Sequence, residues 1–192
     1  MPYHANTIRS VALFARLALA LPIGSLVVVE PVHAQSETGE APFGDKVSER
    51  IPMYHRASPT VGTAGPLGRL GVIQAKAVGF RSILNLAATT VAAGQDDKAM
   101  AEYAVLRYFS VPVAGLPTAE QVAHIRRILE DPANAPILIY GQQDQAAAAW
   151  ALVRAAGGVP AELALQEGKT AGLRELLGAV QERLAKAGAP QR

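Results

Sequence analysis

PILIYGQQDQAAAAWAL, residues 136–152, is the most informative stretch of this sequence. Four apolar residues follow a proline, which is typical of a short buried strand, and the alanine-rich run that ends in Trp150 and Leu152 predicts a helix. Residues 141–145 would form a tight polar loop between them. The first N–H groups of a helix have no partner inside the helix and lie at the positive end of its dipole. The stretch therefore predicts a strand, a loop and a helix that together form an anion cradle.

Strands and helices alternate from residue 66 to residue 156, with short loops between them. Apolar runs predict strands at 54–57, 60–64, 81–86, 107–111 and 137–140, of which the first two are either two short strands or one bent strand. We therefore predict an α/β fold with a central, mostly parallel sheet of about four to five strands and helices on both faces. Such sheets bind ligands beyond the carboxyl ends of their strands, which selects the loops after Leu86, Val111 and Tyr140.

Helical spacing predicts which side chains face the core. After Gly65-Pro66, the apolar residues that recur at this spacing are Leu67, Leu70, Ile73, Ala77 and Val78. The next helix is predicted to carry Asp96 and Asp97 in its first turn, where negative charge meets the dipole. Its inward side chains would be Met100, Ala104 and Val105.

Helix boundaries are clearest in the second half of the chain. Thr118 and Gln121 predict a capping box, and Asp131-Pro132 would end the helix that it starts. A shorter helix is predicted to begin at 159–162 and to run through Leu165. The last helix would run from Arg174 to about Ala187.

The composition narrows the range of functions. The 192 residues are 50% hydrophobic and carry a formal net charge of +2, which suits one globular domain and argues against a dedicated nucleic-acid binder. There is no cysteine, so the chain has no disulfide, no thiolate metal site and no cysteine nucleophile. His55 and His124 are too isolated in the sequence to indicate a metal cluster. We expect neither a metal nor a cofactor.

The N-terminal segment has the features of a bacterial signal peptide. Arg9 and Arg16 precede an uncharged run over residues 17–29. Residues 32–34 then provide small or short side chains at the positions that a signal peptidase recognises before it cleaves. The alternative is an uncleaved anchor, but the run has 13 residues, against the roughly 20 that span a bilayer. We predict a signal peptide at 1–34, a flexible lead-in at 35–49 and a folded domain at 50–188. The mature protein would be periplasmic or secreted, with no stable membrane span after cleavage.

Five segments, in their order and spacing, carry a resemblance to a known family. They are YHRASP at 54–59, GFRSILNL at 79–86, YFSVPV at 108–113, PILIY at 136–140 and EGKTAGL at 167–173. Together they resemble the bacterial dual-specificity-phosphatase-like domains of the protein tyrosine phosphatase superfamily, in the group related to the phosphatase-like domain of beta-lactamase-hydrolase-like proteins. The similarity covers nearly all of residues 50–187, so the resemblance implies a phosphatase-like domain there.

The resemblance also implies chemistry whose residues are missing here. In the family, the loop after the strand has the form CxxGxR: the cysteine thiolate attacks phosphorus, loop amides and the arginine hold the phosphoryl oxygens, and an aspartate protonates the leaving oxygen. Gly141 stands at the cysteine position. The arginine position falls on Ala146 when counted from Gly141, or on Gln145 when counted back from Trp150. Residues 112–117 offer no carboxylate as general acid, and Ala87 stands where relatives often carry arginine.

No replacement nucleophile is evident in the loop. Residues 141–149 contain neither serine nor threonine, and Asp144 would repel a phosphate group. Tyr140 ends a buried strand, a position where a tyrosine more often packs, with its hydroxyl satisfied, than binds a ligand.

We therefore predict a catalytically inactive, phosphatase-like periplasmic domain with a binding or regulatory role and no catalytic residues. Its ligand-binding residues would be those of the degenerate phosphate loop, namely Tyr140, Gly141, Gln142, Gln143, Asp144, Gln145 and Ala146. Glutamine amides suit a neutral hydrogen-bonding group better than a phosphate dianion. The partner would be an unknown small polar ligand or a protein, and not a nucleic acid. The alternatives are an active hydrolase of the family that uses non-cysteine chemistry, and a purely protein-interaction domain with an exposed apolar patch on the last helix.

Overall fold

The computed structural model describes residue 47 and residues 49–88 and 91–188, with only the backbone of residues 91–95 and 188. The predicted signal peptide and most of the predicted lead-in lie outside these residues. Val47, which the sequence assigns to the lead-in, is buried, and its carbonyl accepts the N–H of Ile51 at 2.9 Å. Within the described residues, no helix combines the length and the apolar character needed to cross a membrane.

Five strands form one sheet. They are β1 (His55–Arg56), β2 (Val61–Ala64), β3 (Ser82–Ala87), β4 (Arg107–Val113) and β5 (Ile137–Tyr140), in the spatial order β1-β2-β5-β3-β4. Only β1 runs antiparallel to its neighbour. The predicted mostly parallel sheet is thus confirmed. Of the two possibilities for residues 54–64, the chain forms two short strands paired as a hairpin.

Helices cover both faces of the sheet. They are α1 (Gly68–Ala77), α2 (Val91–Tyr103), α3 (Ala119–Glu130), α4 (Gln145–Ala156), α5 (Ala161–Thr170) and α6 (Leu177–Gly188). Buried residues of α1 and α2 pack with Ile83 and Leu138 on one face. Buried residues of α3, α4 and α6 pack with Leu84 and Ile139 on the other. The predicted α/β fold with two covered faces is confirmed.

Strand β5 explains the uninterrupted apolar run at 137–140. It lies between β2 and β3, so it has a neighbouring strand on each side. Ile137 and Ile139 belong to the core on one face of the sheet, and Leu138 and Tyr140 to the core on the other. All four side chains are buried. A strand covered on both faces needs apolar residues at every position. The loop at 141–144 begins at the carboxyl end of this strand.

The predicted inward face of α1 was wrong for Leu70 and Ala77, which are exposed. Its buried residues are Gly71, Val72 and Ala75, whereas the side chain of Leu70 is 76% exposed. Leu67, which directly precedes the helix, is buried in the same core cluster as Val72 and Ala75, and Val78 packs partly against that cluster, as predicted. Small residues on the buried face let α1 pack closely on its neighbours, and this selection overrides the spacing of the larger apolar residues.

The predicted start of α2 was also wrong. The helix begins at Val91, so no acidic residue lies in its first turn, and Asp96 and Asp97 come in the second. Met100 and Ala104 are partly buried against the core as predicted. Val105 is not: it lies beyond the end of the helix, with 78% of its surface exposed and a φ of +55°.

The capping box of α3 is confirmed. Thr118 Oγ1 accepts the N–H of Gln121 at 3.2 Å, and Gln121 Oε1 accepts the N–H of Thr118 at 2.8 Å. Two other boundaries differ from the prediction, because α5 continues to Thr170 and α6 begins at Leu177. The extension of α5 places Glu167 beside Arg154 of α4, which donates to it through Nε and Nη2 at 2.6 and 3.1 Å.

Candidate functional site

Three loops meet at the carboxyl ends of β3, β4 and β5. A Cβ placed on Gly141 would lie 3.3 Å from Leu86 Cβ, which brings the β5–α4 loop against the end of β3. The side chain of Gln145 reaches the loop after β4, where Nε2 donates to the carbonyls of Val113 at 3.0 Å and of Gly115 at 3.4 Å. The grouping predicted from the sequence is therefore present. Arg183 of α6 also donates to the carbonyl of Pro117 in the same group of loops.

The side chain of Gln145 fills the cradle. Its Oε1 accepts the N–H of Gln142 at 2.9 Å, which is the kind of loop amide that would hold a phosphoryl oxygen. Its other end is fixed by the two carbonyls of the β4–α3 loop, and the residue is 7% exposed. The side-chain amide of Gln145 thus occupies a loop N–H group that an anion would otherwise bind.

Asp144 points away from the cradle and ties the loop to the start of α6. Its Oδ2 accepts the backbone N–H of Arg174 at 2.6 Å and of Leu176 at 3.1 Å. Its side chain does not cap α4, although it precedes that helix. The other oxygen, Oδ1, is buried and has no hydrogen-bond partner among the described residues.

A small cavity lies beside the loop, on the side of Asp144. The cavity that Asp144, Ala146 and Ala147 line together with His55 and Thr63 has a volume of about 10 Å³. That volume accommodates about one water molecule. Thr63 closes one wall, since its hydroxyl donates to the carbonyl of Ala171 at 2.8 Å.

Gln142 and Gln143 form the outer surface of the loop. Both are exposed, unlike Gly141, Asp144, Gln145 and Ala146, which are buried. Gln143 has a φ of +47°, a conformation that non-glycine residues seldom adopt and that often marks a functional loop. Among the described residues, no acceptor binds the backbone N–H of Gln143. Of the predicted ligand-binding residues, these two are the ones that the fold leaves accessible.

Tyr140 lies on the opposite face of the sheet from the cradle, in a polar network. Its hydroxyl donates to Asp97 Oδ2 at 2.9 Å, and Asn85 Nδ2 lies 3.4 Å from the same oxygen and 3.2 Å from the hydroxyl of Tyr108. Burial raises the pKa of Tyr140 well above its ordinary value, and the negative charge of Asp97 raises it further. Tyr140 is a neutral, satisfied packing residue, the arrangement that the sequence favoured for it.

His55 comes close to the loop from β1. It lines the small cavity with Gln143 and Asp144, and its ring packs on Gly172, where an added Cβ would lie 2.5 Å from His55 Cδ2. Burial lowers the pKa of His55, and the positive charge of Arg174 lowers it further. The imidazole is therefore protonated less readily than that of a solvent-exposed histidine. No group of three or more metal-ligating side chains occurs in the part of the chain that the structure describes.

Sequence reasoning missed three of these relationships. The partners of Asp144 lie 30 and 32 residues away, those of Gln145 up to 32 residues away, and Asp97 is 43 residues from Tyr140. Nothing local in the sequence indicates them. The one available signal was the polar character of the loop itself, because a buried amide or carboxylate must find partners somewhere in the fold.

Comparisons with known proteins show the fold. No family model matches the sequence, and no curated protein matches it. A DUF442 protein from Shewanella putrefaciens CN-32, assigned as a phosphatase, has a similar structure at a TM-score of 0.58 and 16% identity, covering 76% of this chain and 99% of that one. A protein from Neisseria meningitidis Z2491, likewise assigned as a phosphatase, matches at 0.59 and 20% identity, over 70% and 98%. Tk-PTP in its active form matches at 0.53 and 14%, over 70% and 96%.

These identities are low, so the likeness concerns architecture. The shared features are the five-stranded, mostly parallel sheet and the helices that flank it. The chain has a phosphatase-like fold of the protein tyrosine phosphatase type, with Gly141 and Gln145 in the loop that follows its central strand.

Proposed function

We propose that this protein is a catalytically inactive, phosphatase-like periplasmic domain that binds a neutral polar group at the outer surface of the β5–α4 loop. The binding would serve a regulatory or recognition role rather than turnover. The observation that carries the proposal is the position of the Gln145 side chain, which hydrogen-bonds the loop amide of Gln142 and closes the cradle. The sequence supports it, because Gly141 provides no nucleophile and the chain has no cysteine.

The chemistry of the accessible residues favours a ligand that carries amides. Gln142 and Gln143 each present one carbonyl acceptor and one NH₂ donor, and Gln143 adds an unused backbone N–H. Such a surface pairs with the groups of an extended peptide or of an amide side chain. A phosphate dianion would meet the N–H groups but would also meet the two side-chain carbonyl dipoles of Gln142 and Gln143.

The hydrolase alternative lacks a suitable group close to the loop. Thr63 is 1% exposed, and its hydroxyl donates to the carbonyl of Ala171. The hydroxyl is therefore not available to attack a substrate. No hydroxyl group hydrogen-bonds the imidazole of His55 among the described residues, so the loop offers no nucleophile paired with a histidine. These features support binding over catalysis.

A phosphatase assay tests the first half of the proposal. The purified protein is incubated with para-nitrophenyl phosphate, with a Gln145→Ala variant and a mock preparation alongside. We expect all three to give the same background rate. Turnover above the mock preparation that is lost in Gln145→Ala would show that the loop is catalytic and would refute the proposal.

A binding measurement tests the second half. N-acetylglutamine methylamide and inorganic phosphate are titrated separately into ¹⁵N-labelled protein, and the amide resonances are followed. We expect the amide probe to shift the backbone signals of Gln142 and Gln143 in a saturable manner, and phosphate to leave them unchanged. A Gln142→Ala, Gln143→Ala double variant should lose the response, whereas Gln166→Ala, an exposed glutamine on α5, should keep it. Saturable shifts with phosphate alone would instead identify an anion site.

Localisation is tested separately. Expression in a Gram-negative host followed by fractionation and N-terminal sequencing is expected to give a periplasmic protein that begins at Gln35. An uncleaved product in the membrane fraction would support the anchor alternative.

A further inference from the structure

Four of the helices in the described part of the chain end in the same hydrogen-bond pattern. At the end of α1, the N–H of Gly79 donates to Lys76 and that of Phe80 donates to Ala75. The corresponding pairs of bonds close α4 and α5. The residue at the centre of this Schellman motif must adopt a positive φ, and it is a glycine in these three helices: Gly79 at +105°, Gly158 at +92° and Gly172 at +98°.

The fourth helix, α2, has a valine at this position. The N–H of Val105 donates to Glu102 at 3.1 Å and that of Leu106 donates to Ala101 at 2.8 Å, which completes the same motif. Val105 has a φ of +55°. A β-branched side chain is strongly disfavoured in this region, and glycine or asparagine is the usual choice. The conformation of the turn therefore gives no reason for valine at position 105.

Core packing gives no reason for it either. The hydrophobic contact that accompanies the motif is provided by Leu106 and Ala101, which are both buried. Val105 is 78% exposed, and so is Tyr103 at the end of α2. Two large apolar side chains thus project into solvent two residues apart, one of them in a strained conformation. Strain at an exposed residue is a reason to look for a partner.

Positive charge lies around Val105. Val105 lines an open cleft of about 550 Å³ together with Lys76, Arg81 and Arg107. The one carboxylate in the lining, that of Glu102, lies 3.8 Å from Lys98 Nζ. Arg81 has no side-chain partner among the described residues, and Arg107 uses only Nη1, in a bond of 2.9 Å to Asn134 Oδ1. The Val105 surface, defined as Tyr103, Val105, Lys76, Arg81 and Arg107, combines unused guanidinium donors with exposed apolar groups.

We infer that the Val105 surface binds an acidic peptide segment of a partner protein, whose carboxylates pair with Arg81 and Arg107 and whose apolar side chains cover Val105 and Tyr103. Charge complementarity favours an acidic partner. The cleft is lined by three cations, Lys76, Arg81 and Arg107, and by one carboxylate, that of Glu102, which is already paired with Lys98. The exposed apolar side chains favour a peptide over a nucleic acid, whose backbone offers phosphates but no apolar side chains.

This surface is independent of the function proposed above. Arg81 precedes β3 and Arg107 begins β4, so the cleft lies at the amino ends of these strands, whereas the β5–α4 loop lies at the carboxyl ends. Failure of one proposal therefore leaves the other standing.

The test uses fluorescence anisotropy with a fluorescein-labelled peptide of three Asp-Leu-Glu-Phe repeats, and a matched peptide in which serine and glutamine replace the acids. We expect saturable binding of the acidic peptide and none of the neutral one. Arg81→Glu should weaken binding by about tenfold or more, while Lys169→Glu, which changes the net charge equally on α5, should have little effect.

Val105→Gly is the decisive variant. Glycine relieves the strained φ, so the variant should melt at a higher temperature than the wild type, yet it should bind the peptide about threefold or more weakly because the apolar contact is lost. Unchanged affinity in Val105→Gly would overturn the inference, as would equal losses in the Arg81 and Lys169 variants. Binding to phosphatidylglycerol vesicles in place of the peptide would also overturn it and would indicate a membrane-facing surface.

Discussion

The side chain of Gln145 lies directly against the backbone of Gly141. A Cβ on Gly141 would lie 3.0 Å from Gln145 Oε1 and 3.1 Å from Gln145 Cβ. Any side chain at position 141 would therefore compete for space with the present conformation of Gln145. Because that conformation also satisfies the Gln142 amide and two carbonyls of the β4–α3 loop, glycine at position 141 belongs to the architecture of the closed loop.

Gly141→Ala should destabilise the protein by about 1–3 kcal/mol, the usual effect of adding a methyl group to a filled site. Urea unfolding, followed by the fluorescence of the single, buried Trp150, measures it. Gly178→Ala on α6 is the control, since nothing lies within 4 Å of the added Cβ. That change should be neutral or stabilising by up to about 1 kcal/mol, because alanine has the higher helix propensity. Equal effects at the two glycines would show that Gln145 does not restrict position 141.

A cysteine introduced at position 141 should not produce phosphatase activity. Gly141→Cys would place a thiol in the crowded space beside Gln145, without the arginine and general acid that the reaction needs. The para-nitrophenyl phosphate assay is expected to give the background rate. Measurable turnover that iodoacetamide abolishes would mean that the cradle still binds phosphate.

Asp144→Ala should cost about 2–4 kcal/mol, because it leaves the N–H groups of Arg174 and Leu176 without their charged acceptor. Asp144→Asn keeps one acceptor oxygen and should cost about half as much. Urea unfolding compares both with Glu175→Ala, an exposed carboxylate in the same segment that should change stability by less than about 0.5 kcal/mol. Similar values for the alanine variants at 144 and 175 would contradict a structural role for the carboxylate of Asp144.

Tyr140→Phe should destabilise the fold by about 1–2 kcal/mol without affecting a ligand at the loop. The change removes the hydroxyl that donates to Asp97 at 2.9 Å and leaves a partly buried carboxylate with fewer partners. Tyr103→Phe is the matched control, because Tyr103 is 78% exposed. A changed response of Gln142 and Gln143 to the amide probe in Tyr140→Phe would instead place Tyr140 in the binding site.

Protonation of His55 should lower the stability of the protein in mild acid. The pKa of His55 in the folded state lies below that of about 6.5 expected for the unfolded chain, so the unfolded state binds more protons between the two values. The contribution of His55 to the free energy of unfolding is complete above the pKa that the residue has in the unfolded chain. It is lost as the pH falls through the pKa that His55 has in the folded state. The decrease in melting temperature from pH 7.5 to pH 5.5 should be smaller in His55→Gln than in the wild type. His124→Gln, at an exposed position, should keep the full decrease.

The sequence predicted the sheet well because its signals are local. The run at 137–140 is apolar at every position, as a strand covered on both faces requires, and the Thr118–Gln121 box specifies a helix start through bonds that span three residues. The face of α1 was predicted wrongly because close helix packing selected Gly71 and Ala75 over Leu70. The loop at 141–146 could be identified from the sequence as lacking both cysteine and arginine. Its closed state could not, because the partners of Gln145 and Asp144 are fixed by the tertiary fold.

The bonds from Asp144 to Arg174 and Leu176 give the C-terminal helix an influence on the site. Unfolding of α6 together with residues 174–176, which precede it, would release the carboxylate of Asp144 and, through Arg183, the carbonyl of Pro117. The loop and this C-terminal segment should then open as one cooperative unit, and the amide hydrogens of Arg174, Leu176 and Gln142 should exchange with solvent at a common rate. Shortening the chain before Arg174 would consequently loosen a loop that lies about thirty residues earlier in the sequence.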